Sequence, residues 1–96
     1  MEDSREEVYE VTGRINEFGD WGRYADVDKL KELVEESDWK LTKEKLELKA
    51  REINPALKQG YGTRIIYPTN SEEGAIWLVS CDRGRELRRI FWFKKA

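Results

Sequence analysis

The sequence predicts an α+β domain in which a C-terminal antiparallel sheet packs against two helices. Three apolar runs of strand length lie close together, at residues 63–67, 75–81 and 87–93. Turn-forming residues separate the runs, and Gly84 lies where a three-residue hairpin turn needs the left-handed conformation. Two helical patterns precede them. We therefore expect a three-stranded meander joined by an N-terminal strand and backed by two helices, in the order β-α-α-β-β-β.

The first half of the chain predicts one strand followed by a capped helix. Residues 6–15 alternate weakly between apolar and polar side chains, with Tyr9 on the apolar side. Residues 26–37 repeat apolar side chains at helical spacing, and Asp26 is suited to cap the first turn. Glycine, asparagine and aspartate between these segments predict a loop, and Trp21 is expected to pin that loop to the core.

A second helix is predicted from Thr42 to about residue 54, although this stretch also fits a strand. Thr42 is a favoured N-cap residue, and Leu41 and Leu46 flank it at the spacing of a hydrophobic staple. The competing pattern is an alternation with charged residues that would put Leu46 and Leu48 on the same side of a strand. The cap and the good helix formers favour the helix.

Length and composition predict a single domain over residues 1–96. The apolar fraction is 39% and the aromatic fraction is 11%, which argues for a folded core. No apolar run approaches the roughly 20 residues that span a bilayer, and the acidic N-terminus does not fit a secretory signal. We therefore expect a cytoplasmic protein with no membrane partner. The single cysteine, Cys81, excludes an internal disulfide, and its place in a predicted strand suggests a small buried side chain.

Histidine is absent from the sequence. Its absence excludes histidine-based metal sites, histidine acid–base catalysis, and the Ser/His and Cys/His nucleophile pairs. Glu47 and Lys49 have the E-x-K spacing of some metal-dependent nucleases, but on a predicted helix this spacing is typical of a solvated face. We expect no metal and no cofactor.

Charge is distributed unevenly along the chain. The first 50 residues carry 9 basic and 15 acidic side chains, whereas the last 46 carry 9 basic and 5 acidic. Arginines also recur beside aromatic side chains on the predicted strands. This pattern favours arginine stems that lie over rings at a sheet edge, and the alternative is a basic surface that holds phosphate.

Three parts of the second half are similar to segments of one known family. They are NPALKQGYGTRI at residues 54–65, SEEGA at 71–75, and the hairpin DRG at 82–84 with the closing strand IFWFKK at 90–95. Together with the order of the elements, these segments resemble the RelE/HigB group of bacterial toxins, within the RelE/ParE superfamily. Ile76 stands where that family usually carries an arginine.

The resemblance implies a metal-independent mRNA endoribonuclease that acts on the ribosome and is neutralised by an antitoxin. Attack by a 2′-hydroxyl needs groups that take up its proton, stabilise the phosphorane and protonate the leaving oxygen. The resemblance implies catalytic roles for Arg64 and for the closing lysine, Lys94 or Lys95, of which we take Lys95. No histidine or terminal tyrosine matches the family's acid, and Tyr67 is the third candidate because it is the one phenol near them on the predicted sheet. The candidate nucleic-acid-binding residues are Lys58, Arg83, Arg85, Arg88, Arg89 and Lys94.

Two other functions remain open at this point. One is a toxin fold that has lost catalysis and binds RNA, DNA or a protein through its basic strand. The other is an unrelated small phage or host interaction protein. Both would use the same cations for binding.

Overall fold

The computed structural model describes residues 7–36 and 38–96, and its five strands form one antiparallel sheet. The elements in chain order are β1 (Val8–Arg14), α1 (Val27–Glu35), β2 (Lys40–Thr42), α2 (Lys43–Ile53), β3 (Tyr61–Ile66), β4 (Gly74–Ser80) and β5 (Arg85–Lys95). Short 3-10 helices lie at Trp21–Arg23 and Asn54–Ala56. The strand order across the sheet is β2-β1-β5-β4-β3. The predicted α+β fold with a C-terminal meander and two helices is confirmed, while the predicted segment ends at residues 6 and 37 lie outside the described residues.

The short strand β2 was not predicted. It pairs with β1 in antiparallel register, with Leu41 opposite Tyr9, and the order becomes β-α-β-α-β-β-β. Three residues are too few to show a period of two, so the pairing depends on the tertiary position of β1 rather than on a local pattern. Leu41 is buried in the core, as the predicted staple requires.

The helical interpretation of α2 is confirmed by its cap and by its burial pattern. The Thr42 side chain accepts a hydrogen bond from the backbone N–H of Lys45 at 3.2 Å. Leu46 and Ile53 are fully buried, whereas Leu48 is 48% exposed. A strand would have buried both leucines, because residues two apart share a face.

The helix α1 and the loop before it also follow the prediction. The Asp26 side chain accepts a hydrogen bond from the backbone N–H of Lys29 at 3.4 Å and so caps the helix. Trp21 is only 2% exposed and belongs to the main core. The loop is thereby held against the sheet.

The core lies between the helices and one face of the sheet. Its fully buried side chains include Leu30, Leu46, Ile53, Ile76, Leu78, Ile90, Phe91 and Phe93. The opposite side of the sheet, which we name the outer face, presents Arg64, Ile66, Trp77, Arg89 and Trp92. β4 is an interior strand of the sheet, between β5 and β3.

A β-bulge in β5 changes the predicted face of Arg89. Ile76 pairs with Phe91, but the next residue, Trp77, pairs with Arg89, so Ile90 is an extra residue in the ladder. One inserted residue reverses the alternation beyond it. Regular alternation along residues 87–93 predicts that Arg89 lies on the same side as Phe91. The bulge makes that prediction wrong, and Arg89 shares a face with Trp77 instead.

Cys81 is exposed, so the prediction of a small buried side chain is wrong. β4 ends at Ser80, and residues 81–84 form the turn that leads into β5. The backbone N–H of Gly84 donates to the carbonyl oxygen of Ser80 at 2.7 Å. Gly84 has a φ of +61°, which confirms the predicted left-handed position.

Candidate nucleic-acid interface

Three arginines line a groove at the end of the sheet that carries the β4–β5 turn. The groove has a volume of about 290 Å³. Its lining consists of Arg23, Tyr24, Tyr61, Ser80, Arg83, Arg85 and Leu87. We name this depression the hairpin groove.

The aromatic wall of the hairpin groove is built by two distant segments. The ring of Tyr24 packs edge-on against the ring of Tyr61, with centroids 5.1 Å apart and planes at 85°. The backbone N–H of Lys58 donates to the carbonyl of Tyr24 at 2.7 Å, and the backbone N–H of Tyr61 donates to the carbonyl of Lys58 at 3.2 Å. These bonds fix both rings and place Lys58, a predicted binding residue, beside the groove.

The basic wall comes from the 3-10 helix at Trp21–Arg23 and from the β4–β5 turn. Arg85 is the cross-strand partner of Ser80, so the turn brings Arg83 and Arg85 to the same end of the sheet. Among residues 7–36 and 38–96, no carboxylate forms an ion pair with Arg23, Arg83 or Arg85. Their charges are therefore available to a ligand.

Arg88, another predicted binding residue, holds the neighbouring loop in place. Its two terminal nitrogens donate to the two carboxylate oxygens of Asp20, at 2.6 and 2.5 Å. Its guanidinium also lies 5.4 Å from the ring centroid of Tyr24 and 5.8 Å from that of Trp21. The hydrogen bonds from Arg88 lower the pKa of Asp20 and raise the pKa of Arg88. This arginine supports the aromatic wall, and its charge is already neutralised.

The outer face carries two of the predicted residues but is a poor phosphate surface. Arg64 donates to Glu86 at 2.9 Å, and the guanidinium of Arg89 lies 4.9 Å from the ring centroid of Trp92 and 5.9 Å from that of Trp77. The lining of the adjacent cavity, about 480 Å³ in volume, includes Glu72, Glu73 and Glu86 alongside Arg89.

Lys94, another predicted binding residue, lies at the edge of a smaller depression that also contains Glu72 and Glu73. Carboxylates here oppose the binding of an anion.

Tyr67 and Lys95 lie on the helix side, near the end of β5 that is far from the hairpin groove. The ring of Tyr67 packs against that of Tyr9 with centroids 5.7 Å apart, and its hydroxyl donates to Glu47 at 3.4 Å. Burial and the nearby Glu47 raise the pKa of Tyr67. The ammonium of Lys95 lies 3.7 Å from one carboxylate oxygen of Glu7, and the other oxygen of that carboxylate accepts a hydrogen bond from the hydroxyl of Tyr9.

The three implied catalytic residues are thus divided between two faces of the sheet. Tyr67 and Lys95 share one end of the helix side, whereas Arg64 is on the outer face. Among the predicted binding residues, Arg83 and Arg85 meet in the hairpin groove. The sequence interpretation missed Arg23, Tyr24 and Tyr61, since nothing local links a loop arginine to a turn 60 residues away.

The described part of the chain has no group of three or more side chains suited to hold a metal ion. None of its helices is long and apolar enough to cross a membrane. No protein-family model, curated protein or solved structure matches the chain.

Proposed function

We propose that the protein binds RNA through the hairpin groove. The observation that carries this proposal is the lining of the groove, which combines three arginines with two tyrosines and, within residues 7–36 and 38–96, contains no acidic side chain. The arginines have no ion-pair partner in the described residues, so binding would not have to break an existing pair.

The chemistry of the lining suits a nucleic acid backbone and its bases. A guanidinium group presents paired N–H donors that match two phosphate oxygens. Tyrosine rings offer surfaces on which unpaired bases stack, and the bases of a single strand such as single-stranded RNA are free to do so. The formal charge of −2 for the whole chain does not oppose this, because local fields govern binding.

Fluorescence anisotropy with a short labelled single-stranded RNA tests the proposal. Arg83→Gln combined with Arg85→Gln should weaken binding at least about tenfold, because each charge-assisted hydrogen bond contributes roughly 1.5–3 kcal/mol. The matched control is Lys29→Gln combined with Lys31→Gln, which removes the same charge from exposed positions of α1. Equal losses in the two double variants would contradict a specific groove, as would equal binding of double-stranded DNA.

A toxin-like endoribonuclease is the second candidate, and one feature of the outer face favours it. Arg64, Trp77 and Arg89 form a row across β3, β4 and β5, so a second arginine lies near the one that the family resemblance singles out. Arg89 supplies a cation on this face although position 76 holds isoleucine. Cleavage here would require Arg64 to exchange Glu86 for a phosphate.

Inducible expression followed by mapping of new 5′ ends on translated messages tests the second candidate. Arg64→Ala should reduce cleavage by roughly 100- to 1,000-fold, which is the usual effect of removing one preorganised charge stabiliser. Arg51→Ala, on the exposed side of α2, is the control. Wild-type protein that causes neither growth arrest nor new 5′ ends would exclude this candidate. Full toxicity of Arg64→Ala would contradict the assignment of the site to Arg64.

A further inference from the structure

We infer that the hairpin groove binds the terminal phosphate monoester of an RNA strand, in preference to the phosphodiesters within it. The inference rests on the proposed RNA binding and specifies which part of the RNA the groove recognises. Its basis is the concentration of free positive charge at one point of the surface.

The strand arginines nearest the groove are already neutralised, and Lys58 lies beside the groove without being part of its lining. Arg88, the nearest strand arginine, is bonded to Asp20 through both terminal nitrogens. Arg64, whose guanidinium reaches toward Gly84 in the turn, is paired with Glu86 on the outer face. A surface that follows several phosphates along a strand needs cations spaced along the path. Here three arginines share one cavity of about 290 Å³, and none of them forms an ion pair with another of the residues that the structure describes.

A terminal phosphate satisfies such a cluster better than an internal one. A phosphate monoester carries between one and two negative charges near pH 7 and has three terminal oxygens that accept strong hydrogen bonds. An internal phosphodiester carries a single charge and has only two such oxygens. Three guanidinium groups around one cavity therefore gain more contacts from the monoester. The rings of Tyr24 and Tyr61 lie beside the arginines, where the terminal base could stack.

The ligand's own titration gives a signature that this protein would not produce by itself. The second ionisation of a phosphate monoester has a pKa of about 6. The chain contains no histidine, the side chain that ordinarily titrates in this range. The charged groups that face the groove are arginines, and the nearby carboxylate of Asp20 is bonded to Arg88 with a lowered pKa. Preference for the monoester should therefore decline as the pH falls from about 7 to about 5.

The experiment compares oligonucleotides of one RNA sequence that differ only in their terminal groups. The 5′ end carries either a phosphate or a hydroxyl, and so does the 3′ end. We expect a phosphorylated end to bind at least about tenfold more tightly than the matching hydroxyl end, from one added charge-assisted contact. At pH 7 that ratio should fall toward one in the Arg83→Gln/Arg85→Gln variant but not in the Lys29→Gln/Lys31→Gln control. At pH 5 the ratio for the wild type should be smaller than at pH 7 but still above one, because the monoester keeps one negative charge.

The possible outcomes separate the inference from the function on which it rests. Tight, groove-dependent binding that is equal for all four ends would overturn the inference and leave RNA binding intact. No binding of any RNA would overturn both. Competition by inorganic phosphate as effective as that by the phosphorylated RNA would overturn the inference, because it would show a site for the free anion only.

Discussion

Tyr9 is nearly fully buried, and its hydroxyl donates to the carboxylate of Glu7. Burial first, and then the bond to Glu7, raise its pKa from 10.0 to about 12. Above pH 10 the unfolded chain releases this proton while the folded protein keeps it, so the free energy of unfolding should fall as the pH rises from 10 to 12.

The contribution of Tyr9 can be isolated with Tyr9→Phe, which has no ionisable hydroxyl. Urea unfolding should show the stability advantage of the wild type over Tyr9→Phe decreasing by up to about 1.4 kcal/mol per pH unit in this window, and remaining constant below it. A difference between the two proteins that stays level from pH 9 to 12 would contradict the shifted pKa.

For single residues, the sequence shows which side chains are cations but not which of them form ion pairs in the folded protein. Arg83 and Arg85 lie in the hairpin groove, whereas Arg88 and Arg64 are paired with Asp20 and Glu86. Asp20 is 68 positions away from Arg88, so only the fold brings the two together. Arg23 was not predicted as a binding residue for the same reason, because only the fold brings it close to the β4–β5 turn.

Among the elements, α2 is the one for which the sequence allowed two interpretations. Its cap and its 3.6-residue pattern were correct guides, and the competing alternation would have buried Leu48 with Leu46. The bulge at Ile90 and the three-residue strand β2 could not be predicted, because both arise from pairing with a partner strand. The local sequence pattern does not indicate which strand that partner is.

Leu46 and Leu48 provide a matched pair that tests the helix. Leu46→Ala removes a fully buried side chain and should lower the free energy of unfolding by about 2–5 kcal/mol. Leu48→Ala changes an exposed position of the same helix and should stay within about 0.5 kcal/mol of the wild type. Comparable losses in denaturant unfolding would mean that both leucines face the core, as a strand would require.

Over the whole molecule, basic and acidic side chains are concentrated in different surface regions. The hairpin groove gathers arginines without carboxylates, while the cavity on the outer face is lined by three glutamates and one arginine. The sequence predicted a basic second half, and it could not show that the turn end of the sheet and its outer face would differ in this way. This division is what makes the groove, rather than the whole strand surface, the proposed contact with RNA.

Salt dependence should report how few phosphates the molecule holds. Each phosphate that is neutralised on a single strand adds about −0.7 to the log–log slope of affinity against salt. A single charge cluster neutralises about one or two phosphates, so it predicts a shallow slope between roughly 50 and 200 mM salt. A slope several times steeper in anisotropy titrations would instead indicate an extended basic track.

The NMR spectrum of the ¹⁵N-labelled protein, followed as RNA is added, shows directly which residues the RNA contacts. We expect the shifted amide signals to cluster at residues 21–24, 58–61 and 80–87. The indole signal of Trp21, whose ring packs against Tyr24, should shift, while those of Trp77 and Trp92 on the outer face should not. Shifts confined to the outer face, with the signals of residues 80–87 unchanged, would contradict binding in the hairpin groove.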